Sequence, residues 1–242
     1  TIKVLTYNIS WESMTGKDTG GVKGTKCMQN RVNQCINNLN IFITEYIRDN
    51  DPDFIALQEA SKYNEVLKGI DINKYHIDHY KPGVEEMVTI WNKNRYELED
   101  KATLWFGDNK GRPLTLYFFT QQICFINAHP GKKKTDNIDT FNNTLTNHVM
   151  KNRSDRINKF NTYKIIIAGD LNNDLTRHSL KFYSRQFYGR STSNTCCDGN
   201  LNGNVRNPWD HVLYTINGGN RVVKILPMIS DHLPVIAELP LN

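Results

Sequence analysis

The chain has 242 residues, carries a formal net charge of +5 and is 38% hydrophobic with 10% aromatic residues. This composition excludes a disordered chain, and the length predicts one compact domain over residues 1–242. The mild positive charge favours polyanionic partners, although an ordinary basic surface has the same composition. No apolar run of about eighteen residues occurs, so the sequence predicts no stable insertion into a membrane.

The cysteines are odd in number and lack the spacing of zinc sites, which favours reduced thiols. Cys124 lies in an apolar strand pattern and is predicted to be a reduced core residue. We therefore expect an intracellular protein, in the cytoplasm or the nucleus, and a monomer. Secretion stays open as an alternative, because a segment before Thr1 could have been removed.

The first half of the chain predicts many strands and one long helix. A strand is expected over residues 2–9, a polar loop over 10–26 and an amphipathic helix over 27–47, where apolar residues recur every three or four positions. Strands are then predicted over 53–59, 75–80, 87–91, 98–106, 114–119 and 123–128, with a short helix near 63–67. This density of strands favours antiparallel meanders over alternating βαβ units.

The second half predicts helices on either side of a buried strand, followed by closing strands. One long or broken helix is expected over 138–160, a strand from residue 165 and another helix over about 176–187. Residues 189–207 are polar and predict a long loop of the kind that is more often functional than idle. The closing strands are predicted over 209–214, 221–228 and 233–239.

The segment 165–174 is the stretch from which the candidate site is inferred. It reads Ile-Ile-Ile-Ala-Gly-Asp-Leu-Asn-Asn-Asp. Its apolar part is typical of a strand buried on both faces, and Gly169 marks a turn or a close approach of the backbone. Asp170 therefore emerges at a strand end, where it is rigid and accessible. Similar apolar runs end near Glu59, His129 and Asp231, which suggests that these residues form one site.

Seven short motifs occur in the order of one known family and span nearly the whole chain. They are Thr6-Tyr7-Asn8-Ile9, Leu57-Gln58-Glu59, Gly111-Arg112, Asn127-Ala128-His129, Gly169-Asp170-Leu171-Asn172, Trp209-Asp210-His211-Val212-Leu213 and Ser230-Asp231-His232. In these motifs the chain resembles the endonuclease/exonuclease/phosphatase superfamily, which includes pancreatic deoxyribonuclease, tyrosyl-DNA phosphodiesterases, sphingomyelinases and inositol polyphosphate phosphatases. The resemblance implies an α/β (α+β) four-layer sandwich, in which two packed, mainly antiparallel β-sheets are flanked by helices.

The resemblance also implies a metal site. Glu59 would be the main metal ligand, with Asn8 and Asp231 nearby, and the ion would be Mg²⁺ with Mn²⁺ as a substitute. Oxygen ligands of this kind suit Mg²⁺, which retains several waters and needs only one or two carboxylates. By the same resemblance Asp170 would orient or deprotonate the attacking water, and Asn172 would hold a phosphate oxygen. The sequence does not decide whether the site binds one metal ion or two.

Two histidines complete the implied catalytic set. His232 is expected to pair with Asp210, because a carboxylate on one ring nitrogen favours the imidazolium form. His129 matches the second histidine of the deoxyribonuclease and sphingomyelinase branches, with Glu85 or Glu86 as the residue that orients it. Arg112 would bind a phosphate through its planar guanidinium.

The sequence departs from the family pattern at two places. Pro130 follows His129 where Leu or Thr is usual. His211 replaces the arginine of the inositol phosphatases, and this difference argues against an inositol phosphatase. Basic residues after His129 and in the later helices, together with Trp11 and Trp209 as stacking platforms, favour a nucleic acid substrate.

The predicted function is a Mg²⁺-dependent phosphodiesterase, a hydrolase acting on nucleic acid as a nuclease or an enzyme that processes DNA ends. DNA, RNA and tyrosyl adducts stay open as substrates. One alternative is a phosphatase or phosphodiesterase acting on a phosphoinositide, sphingomyelin or a small nucleotide. A second alternative is an inactive binding protein with the same fold.

Overall fold

The structure is a computed structural model, and the account below concerns the residues that it describes. These are residues 1–17, 31–81, 86–105, 112–131, 138–151, 154–175, 181–182, 185–197, 204–216, 219–222 and 229–240.

Strands dominate the first half of the chain, and one long helix lies between the first two. The elements are β1 (Ile2–Asn8), α1 (Trp11–Thr15), α2 (Val32–Asn50), β2 (Phe54–Gln58), α3 (Tyr63–Val66), β3 (Tyr75–Tyr80), β4 (Met87–Asn92), β5 (Leu98–Trp105), β6 (Pro113–Phe119) and β7 (Ile123–Ala128).

Two helices open the second half, and short strands close it. The elements are α4 (Ile138–Lys151), α5 (Ser154–Thr162), β8 (Lys164–Asp170), β9 (Lys181–Phe182), β10 (Arg185–Gln186), β11 (Asp210–Tyr214), β12 (Gly219–Val222) and β13 (Val235–Leu239).

The longer strands form two sheets. Within the described residues, one sheet has the order β12-β13-β1-β2-β4-β3 and the other has the order β11-β8-β7-β6-β5. The pairs β1–β2 and β7–β8 are parallel, and helices lie between their strands in the chain. The other pairings are antiparallel, so the prediction of mainly antiparallel sheets is confirmed, while the expectation of meanders alone is corrected at these two pairs.

Three buried clusters make the four layers. The first, between the two sheets, contains Val4, Phe54, Phe125 and Ile166. The second lies between the six-stranded sheet and α2. The third lies between the five-stranded sheet and α4 and α5. The predicted sandwich of two sheets flanked by helices is therefore confirmed.

The run of isoleucines in β8 follows from this layering. Successive side chains of a strand point to opposite faces. Ile165 and Ile167 therefore pack towards the helices, while Ile166 and Ala168 pack towards the other sheet. Both faces of β8 are buried, which removes the alternation that a strand with one solvated face would show.

Gly169 is required by a close approach of two strands. It lies opposite Ala128 in the parallel pair β7–β8, and a Cβ atom at residue 169 would lie 1.8 Å from the carbonyl oxygen of Ala128. No side chain fits there. The close approach predicted for this glycine is present.

One predicted element needs correction, and two others extend beyond the described residues. Residues 11–15 form α1 and not a loop, because the Ser10 side chain accepts a hydrogen bond from the Ser13 N–H and caps the helix. The long helix begins at Val32, and residues 27–30 of its predicted range lie outside the described residues. The predicted closing strand over 221–228 is described only to Val222, where β12 ends.

The helix predicted over 176–187 is wrong for the part that the structure describes. Residues 181–182 and 185–186 pair as antiparallel strands. Arg185 donates to the carbonyl oxygens of Phe160 and Tyr163, and the next residues extend this segment along β11 through hydrogen bonds between Tyr188 and Tyr214. These partners lie far away in the chain, so a local pattern does not reveal them.

The search for membrane-spanning helices gave no candidate. Each helix in the described part of the chain is too short or too polar to reach across a lipid bilayer.

Candidate active site

The candidate site lies where the strands of both sheets end. Asn8 is the last residue of β1, Glu59 follows β2, His129 follows β7 and Asp170 is the last residue of β8. Since β1 and β2 run in parallel, as do β7 and β8, each pair brings its carboxyl ends to one edge of its sheet. Asp210, the first residue of β11, lies opposite Asp170 in an antiparallel pair.

The strand period explains why polar side chains meet between the sheets at this edge. Every second residue of β8 faces the other sheet, so Asp170 shares a face with Ile166 and Ala168. By the same period, Asp210 shares a face with Val212. Apolar residues occupy this face in the middle of the sandwich, and polar residues replace them at its end.

A hydrogen-bond network crosses between the sheets just below the site. Gln58 at the end of β2 donates from Nε2 to Oδ1 of Asn127 on β7 at 2.9 Å. Asn127 donates in turn to the carbonyl oxygen of Val88, and the Gln58 side chain also contacts Thr6. All these side chains are buried, so the network fixes how the two sheets align at the site.

Asn8 joins the two sheets at the centre of the site. Its Nδ2 donates to Oε1 of Glu59 at 3.2 Å and to Oδ2 of Asp170 at 3.1 Å. Its Oδ1 accepts the N–H of Ser10 at 3.0 Å, which defines the orientation of the amide. Glu59 also accepts the Trp11 N–H through Oε2 at 2.9 Å. Two carboxylates from different sheets are therefore held around one amide group.

Asp170 is buried and surrounded by hydrogen-bond donors and histidines. Its Oδ2 lies 3.4 Å from Nε2 of His129 and 3.7 Å from Nε2 of His232, and its Oδ1 accepts the N–H of Asn172 at 2.8 Å. Burial alone would raise the pKa of Asp170. The charge of His232, the contacts with His129 and the Asn172 N–H outweigh burial and lower this pKa well below its usual range.

His232 forms the expected hydrogen bond with Asp210. The distance between Nδ1 of His232 and Oδ2 of Asp210 is 2.8 Å, and both side chains are buried. Burial would lower the pKa of His232, but the negative charges of Asp210, Asp170 and Asp231 raise it well above the usual value. The imidazolium form is therefore stabilised, and its Nε2 faces Asp170.

Arg112 and His129 contact each other at the five-stranded side of the site. The Arg112 guanidinium lies against Nε2 of His129, and this nitrogen is 3.7 Å from Oε1 of Glu59.

Pro130 is one of the departures from the family pattern, and its carbonyl oxygen accepts a hydrogen bond from Nδ2 of Asn172 at 2.8 Å. This bond ties the segment after His129 to the segment after Asp170.

The expectation that Glu86 orients His129 is wrong. The carboxylate of Glu86 contacts Nε2 of His79 at 2.9 Å and Nζ of Lys81 at 2.7 Å, both on the side of the six-stranded sheet. The alternative residue, Glu85, lies outside the described residues. So do Lys132 to Lys134, the basic cluster predicted after His129.

Asp231 lies at the same edge as the other predicted metal ligands. Its Oδ1 is 4.0 Å from Nε2 of His232, and its side chain is partly exposed. The preceding residue, Ser230, donates from Oγ to the carbonyl oxygen of Asn8 at 2.7 Å. This bond attaches the segment before β13 to the end of β1.

Sequence reasoning missed Cys196 as a site residue. Its Sγ lies 3.3 Å from Nε2 of His232, and its backbone forms a bridge with the same histidine. The sulfur atoms of Cys196 and Cys197 are bonded in a disulfide, which the expectation of reduced thiols did not anticipate. Cys124, in contrast, is a free and buried thiol, as predicted. The only signal in the sequence was the long polar loop 189–207.

His211 is a second residue whose position the sequence did not indicate. Its Nδ1 accepts the N–H of Ser191 at 3.0 Å, and its Nε2–H donates to the carbonyl oxygen of Asn173 at 2.9 Å. Burial lowers the pKa of His211 to about 4, so the ring is neutral at pH 7. It connects β11 to the segment that carries Asn172, and thus positions that amide.

The donor set fits a hard divalent cation. Glu59, Asp170 and Asp231 offer carboxylate oxygens, and the side-chain oxygen of Asn172 is buried with no hydrogen-bond partner in the described part of the chain. Ligand atoms of Asp170, Asp210 and His232 lie within 4.8 Å of one another. Acidic residues and a histidine therefore lie close enough together to hold a metal ion.

No protein-family model matches the chain. The chain is similar to a viral protein, the uncharacterized protein L684 of Acanthamoeba polyphaga mimivirus, with 30% identity over 263 residues. The match covers 99% of this chain and 51% of the viral protein, so the chain spans about half the length of that relative.

Solved structures identify the fold. An endonuclease/exonuclease/phosphatase protein of Bacteroides vulgatus is similar with a TM-score of 0.67 and 14% identity, covering 99% of both chains. The mannosyl-6-phosphatase Bt3783 of Bacteroides thetaiotaomicron is similar with a TM-score of 0.68 and 17% identity, covering 99% of this chain and 100% of its own. The chain therefore has the fold of the endonuclease/exonuclease/phosphatase proteins, as the motifs predicted.

Proposed function

We propose that this protein is a Mg²⁺-dependent phosphodiesterase that hydrolyses phosphodiester bonds of nucleic acid. One observation carries the proposal: Asp170, a buried carboxylate, lies within 3.7 Å of Nε2 of His129 and His232 and is joined through Asn8 to Glu59. Negative and positive groups of this kind around one point suit a reaction at a phosphoryl group.

The carboxylates at the edge of the six-stranded sheet would hold the cation. Glu59 and Asp231, with Asn8 beside them, are the residues we assign to this role, and Mn²⁺ would substitute for Mg²⁺. When bound, the ion supplies positive charge to the phosphoryl and leaving oxygens.

Asp170 would position the attacking water. Its low pKa keeps the carboxylate ionised at neutral pH, so it accepts a hydrogen bond from the water. A bound phosphate offsets the charge of the neighbouring histidines and raises the basicity of Asp170 when the proton leaves the water. Asn172 would contact a phosphate oxygen or the cation with the amide atoms that its bond to Pro130 leaves available.

The two histidines and Arg112 would stabilise the charge that develops on the phosphoryl oxygens. His232 is held as an imidazolium by Asp210, and its Nε2 faces the reaction centre. His129 and Arg112, which contact each other, would donate to another oxygen. Donors already in place cost little reorganisation during the reaction.

The net charge of +5 supports a polyanionic substrate, and so does the similarity to the endonuclease/exonuclease/phosphatase protein of Bacteroides vulgatus. The similarity to a mannosyl-6-phosphatase favours a second candidate, hydrolysis of a phosphate monoester. The same donors would suit both reactions, since each is an attack of water on phosphorus.

The test is cleavage of a plasmid and of a labelled single-stranded oligonucleotide, with Mg²⁺ and with a chelator. We expect cleavage of at least one substrate with Mg²⁺ only, loss of cleavage in Asp170→Asn and normal cleavage in Asp49→Asn, a matched change of an exposed carboxylate on α2. Cleavage of neither nucleic acid, together with phosphate release from a sugar phosphate, would select the monoesterase instead.

A further inference from the structure

A cleft of about 590 Å³ opens next to the segment that follows Glu59. Its walls include Trp11, Ser61, Tyr63 and Lys62, and we call it the Trp11 cleft. It is distinct from the cluster of catalytic candidates, since its lining contains none of them. Its size suits one nucleotide or sugar phosphate and not a large cofactor.

Hydrogen bonds connect the lining of the cleft to the proposed cation ligand, Glu59. The Trp11 N–H donates to Oε2 of Glu59, and the N–H of Ser61, two residues after Glu59, donates to the carbonyl oxygen of Glu59 at 2.9 Å. The Ala60 N–H bonds to the carbonyl oxygen of Glu86, which also lines the cleft. A substrate whose phosphate lies at Glu59 therefore has this cleft as its neighbour.

The lining of the cleft includes a buried polar atom that has no partner among the described residues. The hydroxyl of Ser61 has no hydrogen bond to any described residue, and the residue is only 6% exposed. Buried polar groups are normally paired, because an unpaired one loses the hydrogen bonds that it made to water. A hydroxyl in this state is suited to a sugar or phosphate oxygen of a ligand.

Aromatic rings provide a stacking surface. Trp11 is only partly buried, and it lines the cleft. The Tyr63 ring, also in the lining, stacks on the His79 ring with centroids 4.0 Å apart and an interplanar angle of 22°. Nucleobases stack on such surfaces without regard to sequence, since every base has a π-face.

The rim of the cleft is basic. Three lysines, Lys17, Lys62 and Lys81, line it against two glutamates. Lys62 lies 3.2 Å from Glu65 and Lys81 lies 2.7 Å from Glu86. The excess positive charge suits a phosphate next to the one that reacts.

We propose that the Trp11 cleft is a subsite for the nucleotide that adjoins the scissile phosphate, with its base stacked on Trp11 and a backbone oxygen bonded to the Ser61 hydroxyl. This inference rests on the proposed function and narrows it to single-stranded substrates. A base in a duplex is already stacked between its neighbours and would have to leave them to reach the indole.

The experiment compares kcat/KM for a single-stranded oligonucleotide with kcat/KM for methyl 4-nitrophenyl phosphate, a small diester that has a methyl group in place of the adjoining nucleotide. For Trp11→Ala we expect the ratio of oligonucleotide to small diester to fall by about 5- to 150-fold, the range for loss of one base–aromatic stack. Trp11→Phe should restore most of the ratio. Ile72→Ala is the control, because this exposed side chain lies before β3 and does not line the cleft. It should not alter the ratio.

Ser61→Ala provides a second test that does not depend on the indole. We expect the same ratio to fall by roughly 3- to 10-fold with an unchanged melting temperature, because the hydroxyl has no hydrogen bond to any residue that the structure describes. If either Trp11→Ala or Ser61→Ala lowers both activities equally, it acts through Glu59, and the subsite is wrong.

Binding separates failure of the subsite from failure of the proposed function. If the wild-type protein cleaves neither substrate, the phosphodiesterase proposal fails, and fluorescence anisotropy of a labelled single strand then decides the subsite alone. Weaker binding by Trp11→Ala and Ser61→Ala than by wild type would support the cleft. Equal binding by all three, or tighter binding of duplex than of single strand, would overturn it.

Discussion

The two sheets bring different chemistry to the same edge. The six-stranded sheet contributes Asn8, Glu59 and Asp231, an amide and two carboxylates that suit a cation. The five-stranded sheet contributes Asp170 and Asp210, together with His129 at the end of β7. Residues of the first sheet should therefore govern cation binding, and residues of the second should govern the chemical step.

Two side-chain hydrogen bonds of the catalytic candidates cross from one side to the other. Asn8 donates to Asp170, and His232, carried by the segment before β13, bonds to Asp210. The site is therefore complete only when the two sheets pack in register. This comparison predicts that variants on the two sheets will have separable effects.

The largest effect is expected from Asp170→Asn on the five-stranded sheet. Loss of the carboxylate removes the acceptor for the water proton, and we expect kcat to fall by about 10³- to 10⁴-fold. The Mg²⁺ concentration for half-maximal activity should not change if the two sheets act separately. A parallel rise in that concentration would instead place Asp170 among the metal ligands.

Asp210→Asn tests the same sheet through His232. Without the charge of Asp210 the pKa of His232 falls, so the imidazolium is lost at a lower pH. We expect kcat to drop by about 10²-fold and the alkaline limb of its pH profile to move to lower pH. A drop in kcat with an unshifted limb would contradict the role of His232 as an imidazolium.

Glu59→Gln tests the six-stranded sheet. The amide is a weaker ligand for a hard cation, and we expect the Mg²⁺ concentration for half-maximal activity to rise by roughly 10- to 100-fold, with much of kcat recovered at saturating Mg²⁺. Glu45→Gln, an exposed change on α2, is the control and should behave as wild type. If kcat of Glu59→Gln stays low at saturating Mg²⁺, the assignment of cation binding to one sheet and the chemical step to the other is wrong.

The smallest effect concerns stability and the segment that carries Asn172. The pKa of His211 is about 4 in the folded protein and lies near 6.5 when the chain is unfolded, so its stabilising effect is full above pH 6.5 and is lost as the pH falls through 4. Between pH 7 and pH 4 the free energy of unfolding should decrease by about 3 kcal/mol more in wild type than in His211→Gln, measured by urea denaturation. Equal decreases would mean that the ring is not held neutral.

Local patterns predicted the parts of the fold whose cause is local. The apolar runs of β1, β2, β7 and β8 each end in a polar residue, and the structure places all four ends at the site. The paired strands 181–182 and 185–186 were mistaken for parts of a helix, because Leu180, Tyr183 and Phe187 have helical spacing. Its actual partners, such as the carbonyl oxygens that bind Arg185, come from other parts of the chain.

By itself the sequence determined the layered sheets, the strand ends and the set of polar residues, because strand period and burial act over a few neighbouring residues. Tertiary structure alone decided which side chains touch: Asn8 between Glu59 and Asp170, Glu86 with His79 instead of His129, and Cys196 against His232. These contacts depend on how two sheets pack and on where loops cross the edge, and residues far apart in the chain carry no local signal of such a meeting.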